Sequence, residues 1–493
     1  MDIRNSLERS KKTVLASAVL SASIILAGCS TNDVPAVIGD AVKATPLSQD
    51  QQPDNPWLAE SERSSMHGGS YNRNLSTYPG PLGKNTETTH RVFSRILGVA
   101  PNISFDSKGR LITVSIKFTG IELHLLDPDT LETIARYDMP RKKSRDNSGG
   151  GYFHLDNQDR PILAPADNTI KILELDESGE KPEWVVAEEY SLEGVMPEGS
   201  NIHDIMPDWQ GNLWFVTSNG HMGYRDKKTG EFFTYKMEEE GEVIQNSFSV
   251  DEEGVYIVST HALYQFQIDK ETRKPVYTWR QPYNRGEEQK PGTLSHGSGT
   301  SPTLIGDDLV AIADDDYPST NVVVYKRNKD IEGDRKVCEI PIFEPGKSAT
   351  ENSLLVHNNA IVVQNDYGHV YSGNALETSP GVTRIDVRED RSGCDVTWES
   401  NLLSQSLPRL STATGLLYFY TFKKQNDEDR LGGWYLTALD FNTGEEKFDR
   451  LIGTGTGGML DTLSSVTAPV VLGPNGSAYV GIRTGVVAAA DKE

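Results

Sequence analysis

Cysteine is scarce, three in 493 residues. That excludes a disulfide-dense scaffold and any metal cluster built from several cysteines. Positive charge is short as well. The 48 Lys and Arg stand against 71 Asp and Glu, a formal net charge of −23. Gripping phosphates needs the opposite balance, so no nucleic-acid partner is expected. After residue 28 no apolar run is long enough to cross a bilayer as a helix. Catalytic spacings are missing too. There is no HExxH and no G-x-S-x-G, and the glycine-rich run at 453–458 lacks the GK[ST] ending of a phosphate loop. Any chemistry must come from residues that folding brings together from afar.

The first 28 residues carry an address. Arg4, Arg9, Lys11 and Lys12 form a basic start, and an apolar stretch from about Thr13 to Leu26 follows, too short for a comfortable membrane span. It ends in Leu26-Ala27-Gly28-Cys29, which resembles the lipobox of bacterial lipoproteins. The resemblance implies cleavage before Cys29, acylation of that residue with chains such as palmitate, and a membrane partner held through lipid. Ser30 rather than Asp follows, so the outer membrane is expected, on the periplasmic side. Residues 1–28 are therefore read as signal peptide, 29–60 as a polar, Pro-containing flexible tether, and 61–87 as an ordered arm or loop punctuated by Gly and Pro.

From residue 88 to 493 one unit repeats eight times: a short apolar run, an Asp/Gly/Asn turn, then a β-rich run. NISFDSKGRLITVS, YFHLDNQDRPILAP, IMPDWQGNLWFVTS and NSFSVDEEGVYIVS are the first four instances. Their turn aspartates Asp106, Asp156, Asp208 and Asp251 recur at intervals of 50, 52 and 43 residues. Such a period with four short strands per unit points to an all-β, single eight-bladed β-propeller. The last unit is one strand short. The segment near residues 88–96 is expected to supply it, closing the ring and removing both open sheet edges.

The second half of the unit places an Asp-x-x-Thr turn between two strands, as in ELHLLDPDTLETIARYD, GYRDKKTGEFFTYK, YQFQIDKETRKPVYTW and TALDFNTGEEKFDR. These segments resemble the ALDxxTGxxxW repeat of the quinoprotein-like propeller superfamily, over about residues 90–493. That superfamily includes dehydrogenases and outer-membrane assembly lipoproteins, so the resemblance implies a fold rather than a chemistry. The dehydrogenases carry a vicinal cysteine pair beside their quinone cofactor. This chain has no Cys-Cys and no Cys-x-x-Cys-His, so no PQQ is expected. Cys338 and Cys394 fall in outer strands of adjacent blades, where either a disulfide or two separate thiols would fit.

Propeller topology sorts the loops onto two faces. The starts of the innermost strands and the loops between second and third strands share one face, here called the entry face. The first hairpins form the other, the hairpin face, whose DSKGR, DNQDR and GPNG turns read as ordinary solvated turn chemistry. The entry face collects Asn102, His154, His203, Asp204, Asn246, His296, Glu351 and Asn352 from strand starts. From loops it gains Asn219, His221, His261, the Asp314-Asp315-Asp316-Tyr317 run, Asn365, Asp366 and Tyr367. His154, one alternation step off the others, reads as packing. His203, His221, His296 and Glu351 could ligate Zn²⁺, and Glu351 with Asn352 and the aspartates could hold Ca²⁺. His203, His296 and Glu351 are also the candidates for acid–base work, and Asp204, Asn246, Asn352 and Asp366 for orienting a polar ligand.

Two readings stay open for a chain expected to be a monomer. One is a small polar ligand or substrate bound at the channel mouth, with or without a metal; the other is a non-catalytic scaffold that docks a protein partner.

Overall fold

In the strand Leu309–Ala313 every side chain is buried, alternately on two sides. Leu309 and Ala311 join Leu354, Val356 and Ile361, whereas Val310 and Ile312 join Tyr256, Val258 and Leu263. A strand covered on both faces must be apolar throughout, which is why these segments read as continuous runs. The same holds around the ring. Eight apolar clusters lie one between each pair of neighbouring sheets, including the pair formed by the first and the last. The computed structural model of the chain is thus an eight-bladed β-propeller with its core distributed as inter-blade layers. It describes residues 34–48, 52–94, 98–117, 120–139, 151–197, 199–369, 374–404 and 406–492. Cys29 and the signal segment lie outside the described residues, as do Arg95 and Ile96.

The innermost strands are Ile103–Phe105, His154–Leu155, Ile202–Pro207, Ser249–Val250, Thr303–Ile305, Leu355–His357, Arg409–Ser411 and Val470–Leu472, for blades one to eight. Turn chemistry sets the repeat. In the first hairpins Asp106, Asp156 and Asp208 each accept the backbone N–H groups two and four residues ahead. In the second, Asp127, Asp226, Asp269 and Asp440 accept those two and three ahead, the third belonging to the threonine of the Asp-x-x-Thr motif. These aspartates build turns rather than a site.

Blade eight takes its outer strand from the chain's other end. Thr86–Val92 pairs antiparallel with Gly485–Asp491 over seven residue pairs. Cys338 and Cys394 are disulfide-bonded between the outer strands of blades five and six, with Cα atoms 5.8 Å apart. Linking residues 56 apart in sequence, the bridge contributes about 4 kcal/mol through the unfolded state.

The residues before the closing strand are built in. Residues 34–48, within the stretch read as tether, run beside blade seven. Val37 and Ile38 pair with Arg450 and Asp449 on its outer strand, and the N–H groups of Thr45 and Leu47 donate to Thr414 and Thr412. The arm then crosses the hairpin face, which is therefore not simply solvated turns. Leu58 bridges to Asp156, Trp57 Nε1 donates to the Trp209 carbonyl, and Arg63 pairs with Asp159 at 2.7 Å. Next it enters the axis. The carbonyls of Ser70, Tyr71, Arg73 and Asn74 accept in turn from Val250, Leu304, Val356 and Leu410, one inner strand in each of blades four to seven. Asn72 and Asn74 sit at φ 56° and 55°, a left-handed conformation that asparagine tolerates and most residues do not. Their amides donate to the Phe248, Pro302, Ser353 and Leu354 carbonyls. Residues 70–74 thus plug the channel from the hairpin side.

Candidate functional site

With one end plugged, any axial site opens on the entry face. There the loop 283–302, joining blades four and five, lies across blades four to six. Gly368 N–H donates to the Pro291 carbonyl, Leu294 N–H donates to Glu351 Oε1 at 2.9 Å, and Ser298 N–H donates to the Tyr283 hydroxyl. The approach is close enough to require glycine at 299, since a Cβ there would stand 2.3 Å from the Thr350 carbonyl and 2.7 Å from Glu351 Oε1.

The predicted residues fall into separate groups. Deepest is a pair that spans three blades. His154 Nε2 donates to Asp204 Oδ1 at 2.8 Å, and the Ser247 hydroxyl and Ile205 N–H donate to the same carboxylate. Burial alone would raise Asp204, but His154 and these donors hold it below the usual aspartate range. His154, expected to pack, is buried and spends its Nε2 on this carboxylate. His67 of the plug approaches it, with its Nδ1 3.2 Å from Asn74 Oδ1, and burial pushes its pKa down to about 4. It is neutral at physiological pH.

A second group lies within blade six. Asn352 Nδ2 donates to both oxygens of Asp366, at 2.9 and 3.1 Å, and Gln364 and the Glu351 N–H donate as well. Burial pushes Asp366 up to about 6 from 3.8 despite these donors. The repeated Asn-Ser of blades four and six therefore serves the fold: Asn246 Nδ2 likewise spends itself on the Ser298 carbonyl. Because the unfolded chain releases its proton first, stability due to Asp366 is full below about pH 4 and is lost as pH rises through 6. By linkage, roughly 3 kcal/mol is at stake. We expect Asp366→Asn to flatten the fall in urea midpoint between pH 5 and pH 7; an unchanged slope would contradict the assignment.

The third group is organised by a residue that sequence reading passed over. Arg285 donates to His261 Nε2 at 2.7 Å and to His296 Nδ1 at 3.2 Å, while His296 Nε2 donates to the Gly286 carbonyl at 3.0 Å. A guanidinium thus stands between the two imidazoles. Burial, then Arg285, lowers His261. His221 is remote from them, paired with Asn219, and His203 is half-buried at the start of blade three. Among the described residues no group of three or more His, Cys, Asp and Glu side chains is placed to hold a metal ion. Asp314 is taken up by Asn321, and burial pushes it up to about 7. Asp315 lies 3.4 Å from Lys290 Nζ and accepts the Gly297 N–H, and burial raises it. Asn365 donates to the Lys347 and Pro380 carbonyls.

What remains open is a groove beside these groups. It has a volume of about 610 Å³ and runs between residues 284–291 and the loops of blades five and six. Tyr317, Tyr367, Pro291 and Pro318 contribute its walls, and Glu287, Glu288 and Asp316 its charge. Tyr317 is 73% exposed. Lys290 also lines it, but its ammonium is tied to Asp315, Thr320 and the Asp316 carbonyl.

No protein-family model and no curated protein matches the sequence. Among solved structures, the chain is similar to BamB from Moraxella catarrhalis at 12% identity and a TM-score of 0.46, over 83% of this chain and 97% of that one. It is also similar to Chaetomium thermophilum Sqt1, solved with the N-terminus of ribosomal protein L10 bound. That match has 11% identity and a TM-score of 0.49, over 83% of this chain and 100% of the other. A virginiamycin B lyase from Staphylococcus aureus is similar at 11% identity and a TM-score of 0.38, over 74% and 98%.

Proposed function

We propose that the protein is a lipid-anchored scaffold of the outer membrane, facing the periplasm, which docks a protein partner on its entry face. The observation that carries this reading is the groove along residues 284–291. It is rimmed by exposed Tyr317 and charged by Glu287, Glu288 and Asp316, with aromatic and proline walls. Exposed tyrosine supplies contact area at low entropic cost, and carboxylates beside aromatic faces suit guanidinium or ammonium groups. The partner segment is therefore extended and basic.

The small-ligand reading is weaker because its residues are occupied. Asp204, Asn246, Asn352, Asp366 and His296 all have hydrogen-bond partners within the fold. A divalent metal held by His203, His221, His296 and Glu351 would have to displace Arg285 or the Gly286 carbonyl from His296.

A photo-cross-linking residue in place of Tyr317 tests this in cells. The expected outcome is a discrete protein adduct, absent when the same residue replaces Lys108 on the hairpin face and lost on charge reversal of Glu287 and Glu288. A small molecule retained in native mass spectra, with no adduct at position 317, would favour the other reading.

A further inference from the structure

The exposed large apolar side chains are not spread evenly. Leu431, Met459 and Leu460 are 48%, 54% and 73% exposed, and all three lie at the entry-face end of blade seven. Chain contacts place them together. Leu431 precedes Gly432, which pairs with Gly455, and residues 456–461 continue directly from that strand. Leu376 joins them from blade six, since Ala375 N–H donates to the Gly457 carbonyl. The loop that carries Met459 and Leu460 is held firmly. Buried Asp461 accepts from Gly457 N–H, Leu463 N–H and Trp434 Nε1 at 2.8, 3.0 and 3.0 Å. A braced loop that holds a methionine and a leucine in water forgoes the burial both side chains favour. Such a feature marks a contact surface.

The start of the described chain tells which contact. Val37 and Ile38 run antiparallel to Arg450 and Asp449, the Ala36 carbonyl accepts from Leu451 N–H, and the Pro35 carbonyl accepts from the Tyr435 hydroxyl. Going backwards along this strand therefore leads toward Gly455, the end from which Thr456–Asp461 emerges. Val37 itself is 60% exposed. Only four residues, Ser30 to Asp33, separate Val34 from Cys29. Even fully extended, they let an acylated Cys29 lie no more than about 18 Å from Val34. Charge beside the patch is mixed, with Lys424 and Arg430 among Asp427, Glu428 and Asp429 and Lys423 bound to Asp449.

We propose that the entry-face rim of blade seven, with Leu431, Met459, Leu460 and Val37, is a lipid-docking surface seated in the bilayer interface beside the acyl chains of Cys29. The proposal rests on the lipid anchor of the preceding section. Insertion adds apolar burial to an acyl anchor, and two such attachments hold a protein more firmly than one.

The test uses the full-length, membrane-processed chain with Leu460→Cys, labelled with an environment-sensitive fluorophore and reconstituted in phosphatidylethanolamine–phosphatidylglycerol vesicles. A Val276→Cys chain, labelled on the outer strand of blade four, is the control. Brominated lipid is expected to quench the residue-460 label at least about twofold more than the control, because an interfacial side chain sits within the acyl boundary. Equal, water-like emission at both positions on an acylated chain would overturn the orientation while leaving the anchor standing. Shielding in native outer membranes but not in pure lipid would also overturn it, assigning the patch to a protein. The mass of the mature N-terminal cysteine is read on the same sample. An unacylated chain would overturn both the anchor and this proposal.

Discussion

A chain that starts at Gly98 is expected not to fold cooperatively. Removing Thr86–Val92 strips seven residue pairs from Gly485–Asp491 and uncovers the backbone edge of that strand, whose Val486 to Ala489 are buried in the intact ring. The exposed edge is a template for pairing with another chain. The expected product is aggregated or molten, with far-UV β-signal but no sharp thermal transition. The same deletion also removes the axial plug, so a second variant isolates the strand. With Glu87 and Thr89, whose N–H groups face blade eight, both replaced by proline, ladder hydrogen bonds to that blade are lost while residues 34–83 stay intact. A cooperative transition near the wild-type midpoint in that variant would show that closure does not depend on this strand.

The second large effect is expected at the axis. Asn72→Val and Asn74→Val each force a β-branched residue to φ near +55° and remove an amide that feeds two buried carbonyls. Strain of about 1–3 kcal/mol and about 1–3 kcal/mol for the two lost hydrogen bonds put each substitution at roughly 2–6 kcal/mol. Asn74→Gly separates the two causes, because it keeps the backbone conformation and loses only the amide. Urea unfolding should rank the wild type above Asn74→Gly, and Asn74→Gly above Asn74→Val. Equal midpoints for all three would mean that the plug adds nothing to the ring. Arg409 is fastened into the same region through the Met66, Leu75 and Val470 carbonyls. Burial holds its pKa down to about 10.

The blades were readable because their turns are local. Asp106 is satisfied within four residues of itself, so the requirement shows in a short window and repeats with each blade. Closure was readable by counting, since a unit of three strands must find a fourth. The site was harder. Topology assigned Asn352 and Asp366 to one face together with many others, and gave no sign that these two would spend their hydrogen bonds on each other. Arg285 and Lys290 lie in a loop outside the repeat, so no period pointed to them. The arm was least legible of all. It binds backbone carbonyls and N–H groups of blades four to seven, and such contacts leave no pattern in the side chains opposite; only the glycines and asparagines of MHGGSYNRN hinted that the segment was ordered.

The plug also dictates when the molecule can be finished. Asn74 meets Leu354 across 280 positions, Gly83 meets Arg450 across 367, and Leu82 meets Asp491 across 409. The first ordered part of the chain to emerge from a ribosome or a secretion channel must therefore wait for the last. Until blade eight is out, the strand Thr86–Val92 has no partner and the ring stays open. Such long-range closure is slow and leaves apolar edges uncovered while it waits. Maturation of this protein is thus a race between ring closure and capture by other chains, and any factor that holds the N-terminal ninety residues apart from the rest will decide its yield.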